Sequence, residues 1–137
     1  MSTTYHHEFV VPESDIDEQG HANNVAYLRW TQDAAVAHSS HRGWTPEQYR
    51  EHGVTWVARS HEIRYRRPAM EGDAIIVRTW VDSFGPASCM RRYEITRAGD
   101  GTILAEAVTE WAYIHLETGR PKRLPEELVD AFTSAGR

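Results

Sequence analysis

Runs rich in apolar and β-branched residues, separated by breaks that contain proline and glycine, recur along most of this chain, and such runs predict β-strands. A first strand is predicted at residues 5–11 and ends at Pro12. Four more strands are predicted later in the chain, at residues 54–65, 74–83, 88–97 and 102–115. Short breaks rich in glycine and proline separate the last three, so we expect those strands to form an antiparallel meander.

One long stretch departs from this strand pattern and follows helical spacing. It begins at Asn23 or Asn24, either of which suits a helix N-cap, and it ends near Gly43. Its inward face consists of residues three and four apart, namely Tyr27, Trp30, Thr31, Ala34, Ala35 and His38. Shorter helices are predicted at residues 45–52 and after Leu124. This order of elements favours an α+β fold, with a five-stranded antiparallel sheet wrapped around one long central helix.

Length and charge narrow the classes of protein to consider. The chain has 137 residues, and we expect a single domain over residues 1–137. The net charge of −5 argues against a nucleic-acid partner, because such proteins usually present a basic face. No apolar run is long enough to span a bilayer and the first residues lack a signal-peptide core, so no membrane contact is expected. The lone cysteine, Cys89, fits a cytoplasmic location.

The segment before the long helix carries the most distinctive motif. Residues 15–30 read D-I-D-E-Q-G-H-A-N-N-V-A-Y-L-R-W. Asp and Asn before a helix are commonly caps and turn-formers, which is the structural alternative for these side chains. The start also resembles a calcium loop, but the twelfth position is Ala26 instead of glutamate and a strand precedes it, so we reject calcium binding.

This motif closely resembles that of the 4-hydroxybenzoyl-CoA thioesterase family of hotdog proteins, which show D-x-D-x-x-G and then a tyrosine at the start of a helix. Residues 61–73 and 105–125 resemble later segments of the same family. The resemblance implies a hotdog fold and hydrolysis of an acyl-CoA thioester to the free acid and CoA. It also implies a homodimer or homotetramer with its active site between subunits, and neither a metal nor a cofactor.

The resemblance assigns roles within the motif. Asp17 matches the carboxylate that acts as general base or nucleophile, and Asn24 matches the position whose backbone N–H holds the thioester carbonyl oxygen. The chemistry agrees, since a helix N-terminus offers free N–H groups and the positive end of a dipole to a developing oxyanion. Further predicted substrate-binding residues in this segment are Gly20, His21, Asn23 and Tyr27. Asp15 is interpreted as a solvated or loop-bracing residue.

Other residues are assigned by the same resemblance. Trp56, Val57 and Arg59 are predicted to line an acyl tunnel, although a tryptophan in a strand is more often simply packed. CoA carries phosphates, and the nearest arginine candidates are Arg91 and its neighbour Arg92. Their structural alternative is a charged pair on the solvated face of a strand.

The remaining polar residues are given structural interpretations. His38 and His41 are interpreted as helix-end histidines that suit the negative end of the dipole. His61 is predicted to be a cross-strand or surface residue, and Cys89 a buried thiol. No second pair of metal-ligating residues has matching spacing, so no metal is expected.

Two rival functions remain open on the same fold. One is a non-catalytic module that binds acyl-CoA. The other is a hydratase or dehydratase, which needs a carboxylate further along the helix, where this sequence has no acidic residue before Asp33.

Overall fold

The computed structural model describes residues 3–133 of the 137. Its strands are β1 (Tyr5–Val10), β2 (Val54–Tyr65), β3 (Ala74–Phe84), β4 (Ser88–Arg97) and β5 (Ile103–His115). Its helices are α1 (Asn24–His41), α2 (Pro46–Glu51) and α3 (Glu126–Thr133), and a 3-10 turn occupies Glu13–Asp15. The predicted elements are therefore confirmed, and the strand ends shift by about one residue where they differ, as assignment of element ends commonly does.

The strands form one antiparallel sheet in the order β1-β3-β4-β5-β2. Consecutive strands β3, β4 and β5 are neighbours, which confirms the predicted meander. The two edge strands differ in length, because β1 has 6 residues and β2 has 12. The long strand β2 thus leaves one full backbone edge without a partner among the described residues.

Helix α1 packs against one face of this sheet with the side chains that its periodicity predicted. Tyr27 and Trp30 are each 2% exposed, and they join a core that includes Ile75 and Tyr93 from the sheet. Burial of each such apolar side chain contributes roughly 1.5–3 kcal/mol. Asn23 is the N-cap, since its side chain accepts a hydrogen bond from the Ala26 N–H.

A second apolar cluster lies beyond the first, around α2 and α3. It consists of Trp44, Tyr49, Val54, Tyr113, Leu124, Leu128 and Phe132. Thr45 caps α2 by accepting a hydrogen bond from the Gln48 N–H, and Pro46 follows at the first helical position. Among residues 3–133, no helix is both long enough and apolar enough to cross a membrane.

Candidate active site

Residues 16–22 form a tight turn, called here the Asp17 turn. An antiparallel bridge between Ile16 and Ala22 closes it. Inside the bridge, the Asp17 N–H donates to the His21 carbonyl at 2.8 Å and the Gly20 N–H donates to the Asp17 carbonyl at 3.0 Å. Gly20 adopts φ of 83°, which glycine reaches without steric cost. The glycine of the motif therefore allows the reversal that presents Asp17 at its start.

The two oxygens of the Asp17 carboxylate have different environments: one is hydrogen-bonded within the turn, and the other faces solvent. Its Oδ1 accepts hydrogen bonds from the Gln19 N–H at 2.9 Å and the His21 N–H at 3.3 Å. Its Oδ2 has no hydrogen-bond or ion-pair partner within residues 3–133, and the side chain is exposed. The turn thus fixes the direction of the carboxylate and leaves one oxygen available to a substrate or to water.

Asp15, two residues earlier, has the opposite environment. It is 3% exposed, and its carboxylate accepts hydrogen bonds from Arg29 and from the Trp30 indole N–H at 3.1 Å. Its carbonyl accepts from the backbone N–H of Asn23 at 2.8 Å and from the side-chain amide at 3.0 Å. The expectation that Asp15 braces the loop is confirmed, and the alternative that it is solvated is wrong.

The first turn of α1 lies directly after the Asp17 turn. The Asn23 side chain accepts from the Ala26 N–H at 2.9 Å, whereas the N–H groups of Asn24 and Val25 have no acceptor in the described part of the chain. Asn24 is exposed, and its carbonyl accepts a hydrogen bond from the Tyr65 hydroxyl at 3.2 Å. Two free N–H groups at the positive end of a helix dipole are a site for an oxyanion.

Tyr27 of the motif lies beneath this site. It is 2% exposed, and its hydroxyl accepts a hydrogen bond from the Ala69 N–H at 2.9 Å. Burial raises the pKa of Tyr27, so the hydroxyl stays neutral. Tyr27 therefore packs in the core and holds the Ala69 backbone, and its predicted contact with a substrate stays a prediction.

The three residues of β2 that were predicted to line a tunnel differ in their exposure to solvent. Trp56 is half-buried and packs 4.8 Å from the Tyr113 ring, whereas Val57 is 40% exposed. Arg59 is the extra residue of a β-bulge between Ala58 and Ser60, and it is exposed. Trp56 lies about 30 Å along β2 from Tyr65, at roughly 3.3 Å per residue. Tyr65 contacts Asn24, next to the Asp17 turn. Within a single subunit, Trp56 is therefore far from the Asp17 turn.

Arg91 differs most from its sequence-based interpretation. It is 4% exposed, so both a solvated face and an exposed phosphate contact are wrong for this side chain. Its Nη1 donates to His38 Nδ1 at 2.9 Å and to Thr79 Oγ1 at 3.1 Å. The signal was present in the sequence, because the period of two along β4 places Arg91 on the same face as Cys89 and Tyr93.

His38 also departs from its predicted role. It is fully buried, and burial, with Arg91 nearby, lowers its pKa to about 3. The interpretation as a charged residue at the negative end of the helix is therefore wrong, and His38 is neutral. His61, in contrast, pairs across the strands with Thr109 as predicted.

A cavity of about 320 Å³ lies between the C-terminal half of α1, α2, α3 and the sheet. We call it the Arg91 cavity; most of its lining is apolar, with Ala35, Trp44, Val54, Trp56, Val81, Phe84, Trp111 and Phe132, and the polar lining includes Ser39, Tyr49, Cys89 and Arg91. Exposed Gln32, Val36 and Arg50 mark where it reaches the surface. Cys89 is buried as predicted, and burial raises its pKa to about 11.

Potential metal ligands are not clustered in the described part of the chain. Among the residues that the structure describes, no three or more histidines, cysteines or carboxylates are placed to hold an ion together.

Comparison with known proteins places these features in a family context. A family model described as the thioesterase-like superfamily matches residues 11–132. A chloroplast palmitoyl-acyl carrier protein thioesterase of Cuphea hookeriana is 30% identical over 86 residues, which cover 63% of this chain and 20% of that protein. The long-chain acyl-CoA thioesterase FadM of Escherichia coli (strain K12) is 26% identical over 116 residues, covering 82% of this chain and 85% of that protein.

Solved structures agree at the level of the fold. The 1,4-dihydroxy-2-naphthoyl-CoA thioesterase Slr0204 from Synechocystis superposes with a TM-score of 0.89 at 22% identity, covering 96% of this chain and 97% of that chain. Such a likeness confirms the predicted hotdog fold. The chain spans only 20% of the length of the chloroplast relative.

Proposed function

The chain belongs to the thioesterase-like superfamily, and from that premise we propose that it hydrolyses an acyl-CoA thioester to the free acid and CoA. The observation that carries the proposal is the arrangement at the start of α1. There the Asp17 turn holds a carboxylate with one free oxygen, and two unpaired N–H groups begin the adjacent helix. A base or nucleophile beside an oxyanion site is the minimum that acyl transfer to water requires.

Asp17 has two chemically complete routes. As a general base, it removes a proton from water as the water oxygen bonds to the thioester carbon, and the proton then passes to the departing CoA sulfur. As a nucleophile, its free oxygen displaces CoA thiolate to give a mixed anhydride, which water then hydrolyses. In both routes the N–H of Asn24, with that of Val25, stabilises the negative charge on the former carbonyl oxygen.

The proposal includes a second copy of the chain, because β2 leaves its outer edge unpaired. Unpaired edges of this length favour pairing with another strand, and a two-fold axis would join β2 to its own copy in antiparallel orientation. That arrangement brings the Trp56 end of one β2 beside the Tyr65 end of the other. Since Tyr65 contacts Asn24, the Asp17 turn of one subunit would meet the Arg91 cavity of the other.

The remaining predicted contacts fit this composite site. We propose that Gly20, His21 and Asn23 shape the wall around the thioester, and that Val57 and Arg59 line the tunnel where the subunits meet. Trp56 of each subunit would flank the entry of the acyl group into its cavity. The dimer, or a tetramer built from two dimers, and a cytoplasmic location are parts of the same proposal.

The test is a turnover assay. The purified protein is supplied with a panel of acyl-CoA substrates, and release of CoA is followed with a thiol reagent. Asp17→Asn should lower kcat by roughly 10²–10⁴-fold, the usual contribution of a positioned base. Glu18→Gln removes a neighbouring exposed carboxylate and should leave kcat close to that of the wild type, because Glu18 has no part in the proposed chemistry. Full activity in Asp17→Asn would overturn the assignment.

One observation favours a second function, a non-catalytic module that binds acyl-CoA. The Asp17 Oδ1 accepts two hydrogen bonds from its own turn, so the carboxylate also has a purely structural use. That function predicts that octanoyl-CoA raises the melting temperature of the protein while no CoA is released. Measurable release that depends on Asp17 would exclude it.

A further inference from the structure

Arg91 carries a buried positive charge that no carboxylate of the described chain neutralises. It is 4% exposed, and no aspartate or glutamate within residues 3–133 lies within ion-pair distance of it. The ionisable neighbours that bear on it are Tyr93, Cys89 and Tyr49. Burial keeps each of these neutral, because it raises the pKa of all three side chains. Buried charges in proteins are normally paired, so this one calls for a counter-ion.

The hydrogen bonds of Arg91 leave one side of its guanidinium free. Both of its bonds come from Nη1, one to His38 Nδ1 and one to Thr79 Oγ1. Arginine can only donate, so His38 accepts at Nδ1 and carries its proton on Nε2. Nε and Nη2 of Arg91 have no acceptor in the described chain. These two N–H groups form the edge that binds a carboxylate through two parallel hydrogen bonds.

The shape and lining of the Arg91 cavity restrict what such an anion can be. The cavity holds about 320 Å³, about twice the ~150 Å³ of an engineered apolar cavity that admits benzene. Its walls are mostly apolar and aromatic, with Phe132 packed 5.4 Å from the Arg91 guanidinium. A doubly charged phosphate would leave one charge uncompensated there, whereas a carboxylate on an apolar body matches both the single cation and the apolar walls.

We propose that the Arg91 cavity is a binding site for a carboxylate attached to an apolar body, with Arg91 as the counter-ion. The carboxylate has two possible sources. It is either a free carboxylic acid or the far end of an acyl chain whose other end is the thioester. The first source stands without the proposed function, and the second rests on it.

Binding is tested with the full-length protein by isothermal titration calorimetry, using octanoate and 1-octanol as a matched pair. The wild type should bind octanoate at least about ten-fold more tightly than 1-octanol. Arg91→Met should abolish that preference. Arg123→Met removes an exposed positive charge outside the cavity and should keep it. Equal dissociation constants of the wild type for the two ligands would overturn the proposal, even if Arg91→Met failed to fold.

A second variant locates the ligand without changing any charge. Val81 lies opposite Arg91 on β3 and lines the cavity, so Val81→Phe fills the space. It should weaken binding of octanoate and 1-octanol alike by about ten-fold or more. Unchanged binding of both would show that the ligand lies elsewhere, and the proposal would fail.

The source of the carboxylate is tested with octanoyl-CoA and suberyl-CoA, whose acyl chains have the same length and differ by a terminal carboxylate. If the acyl end is the ligand, kcat/KM for suberyl-CoA should exceed that for octanoyl-CoA, and Arg91→Met should reverse the order. If the free acid is the ligand, octanoate binds while suberyl-CoA has no advantage. Absence of hydrolysis with both substrates would refute the proposed function and leave the calorimetric result standing.

Discussion

The Asp17 carboxylate of the Asp17 turn and the Arg91 guanidinium of the Arg91 cavity lie in opposite surroundings. The Asp17 carboxylate lies in an exposed turn, where water already stabilises it and the fold only sets its direction. The Arg91 guanidinium lies in the interior with neutral neighbours, where the fold must compensate for the lost hydration. An exposed charge is therefore free to take part in chemistry, whereas the interior charge of Arg91 has no carboxylate partner among residues 3–133, which is the basis for the proposed ligand.

Asp15 gives the sharpest contrast with Asp17, and changing it should have the largest effect on stability. Asp15→Ala removes the acceptor of the buried Trp30 indole and the partner of Arg29. We expect the free energy of unfolding to fall by about 3 kcal/mol, because a buried donor is left unpaired. Urea denaturation monitored by tryptophan fluorescence measures this change.

The matched control is Asp17→Ala, which removes a carboxylate two residues away. That change should alter the unfolding free energy by less than about 1 kcal/mol, since the side chain is exposed, while turnover falls sharply. An equal loss of stability in the two variants would contradict the assignment of a structural role to Asp15 and a catalytic role to Asp17.

His38 provides the next test, through the dependence of stability on pH. Its pKa is lowered from 6.5 to about 3 in the folded protein, so the unfolded chain takes up a proton there that the folded chain does not. Stability is therefore full above pH 6.5 and declines as the pH falls toward 3. Between pH 7 and pH 5, His38 should account for a loss of about 2 kcal/mol.

His38→Gln keeps an acceptor for Arg91 and cannot titrate. Its unfolding free energy should change less between pH 7 and pH 5 than that of the wild type, as measured by urea denaturation at each pH. His41→Gln alters an exposed histidine on the same helix and should retain the wild-type slope. If His38→Gln retained the full slope, His38 would not be the buried neutral group that Arg91 requires.

The smallest expected effect concerns the contact that would join the two regions. Val57 is 40% exposed on the edge strand β2, and Val57→Glu would place a charged side chain in the contact between β2 and its copy, where desolvation of that charge opposes pairing. The dissociation constant of the dimer should rise at least ten-fold, about 1.4 kcal/mol, as measured by analytical ultracentrifugation. Val10→Glu changes an exposed valine on the other edge strand and should leave the constant unaltered; a monomeric wild type would contradict the pairing.

The sequence predicted the sheet and the long helix because their periodicities are strong. The inward face from Tyr27 to His38 repeats every three to four residues, and buried residues alternate with less buried ones along most of β4. These patterns report which side of an element is buried. They do not report what a buried polar side chain contacts, which depends on elements far apart in the chain.

That limit explains why the sequence did not settle the surroundings of polar residues such as Asp15 and Arg91. Of the two interpretations of Asp15, the solvated one is wrong because the 3-10 turn at Glu13–Asp15 directs the side chain inward toward Arg29 and Trp30. Three residues are too few for a periodic signal. Arg91 sits at an inward position of β4, yet its charge and the adjacent exposed Arg92 favoured a solvated interpretation. Only the packing of α1 and α3 over β4 shows that its surroundings are buried and uncharged.

The most direct test of the account is the kinetics of Asp17→Asn with octanoyl-CoA and suberyl-CoA in parallel, with folding checked by circular dichroism. Because Asp17 would act at the thioester and not at the far end of the acyl chain, the variant should lose about 10²-fold or more in kcat on both substrates. The ratio of the two kcat/KM values should stay as in the wild type. Wild-type turnover in a folded Asp17→Asn protein, or a loss confined to one substrate, would contradict the placement of the chemistry in the Asp17 turn.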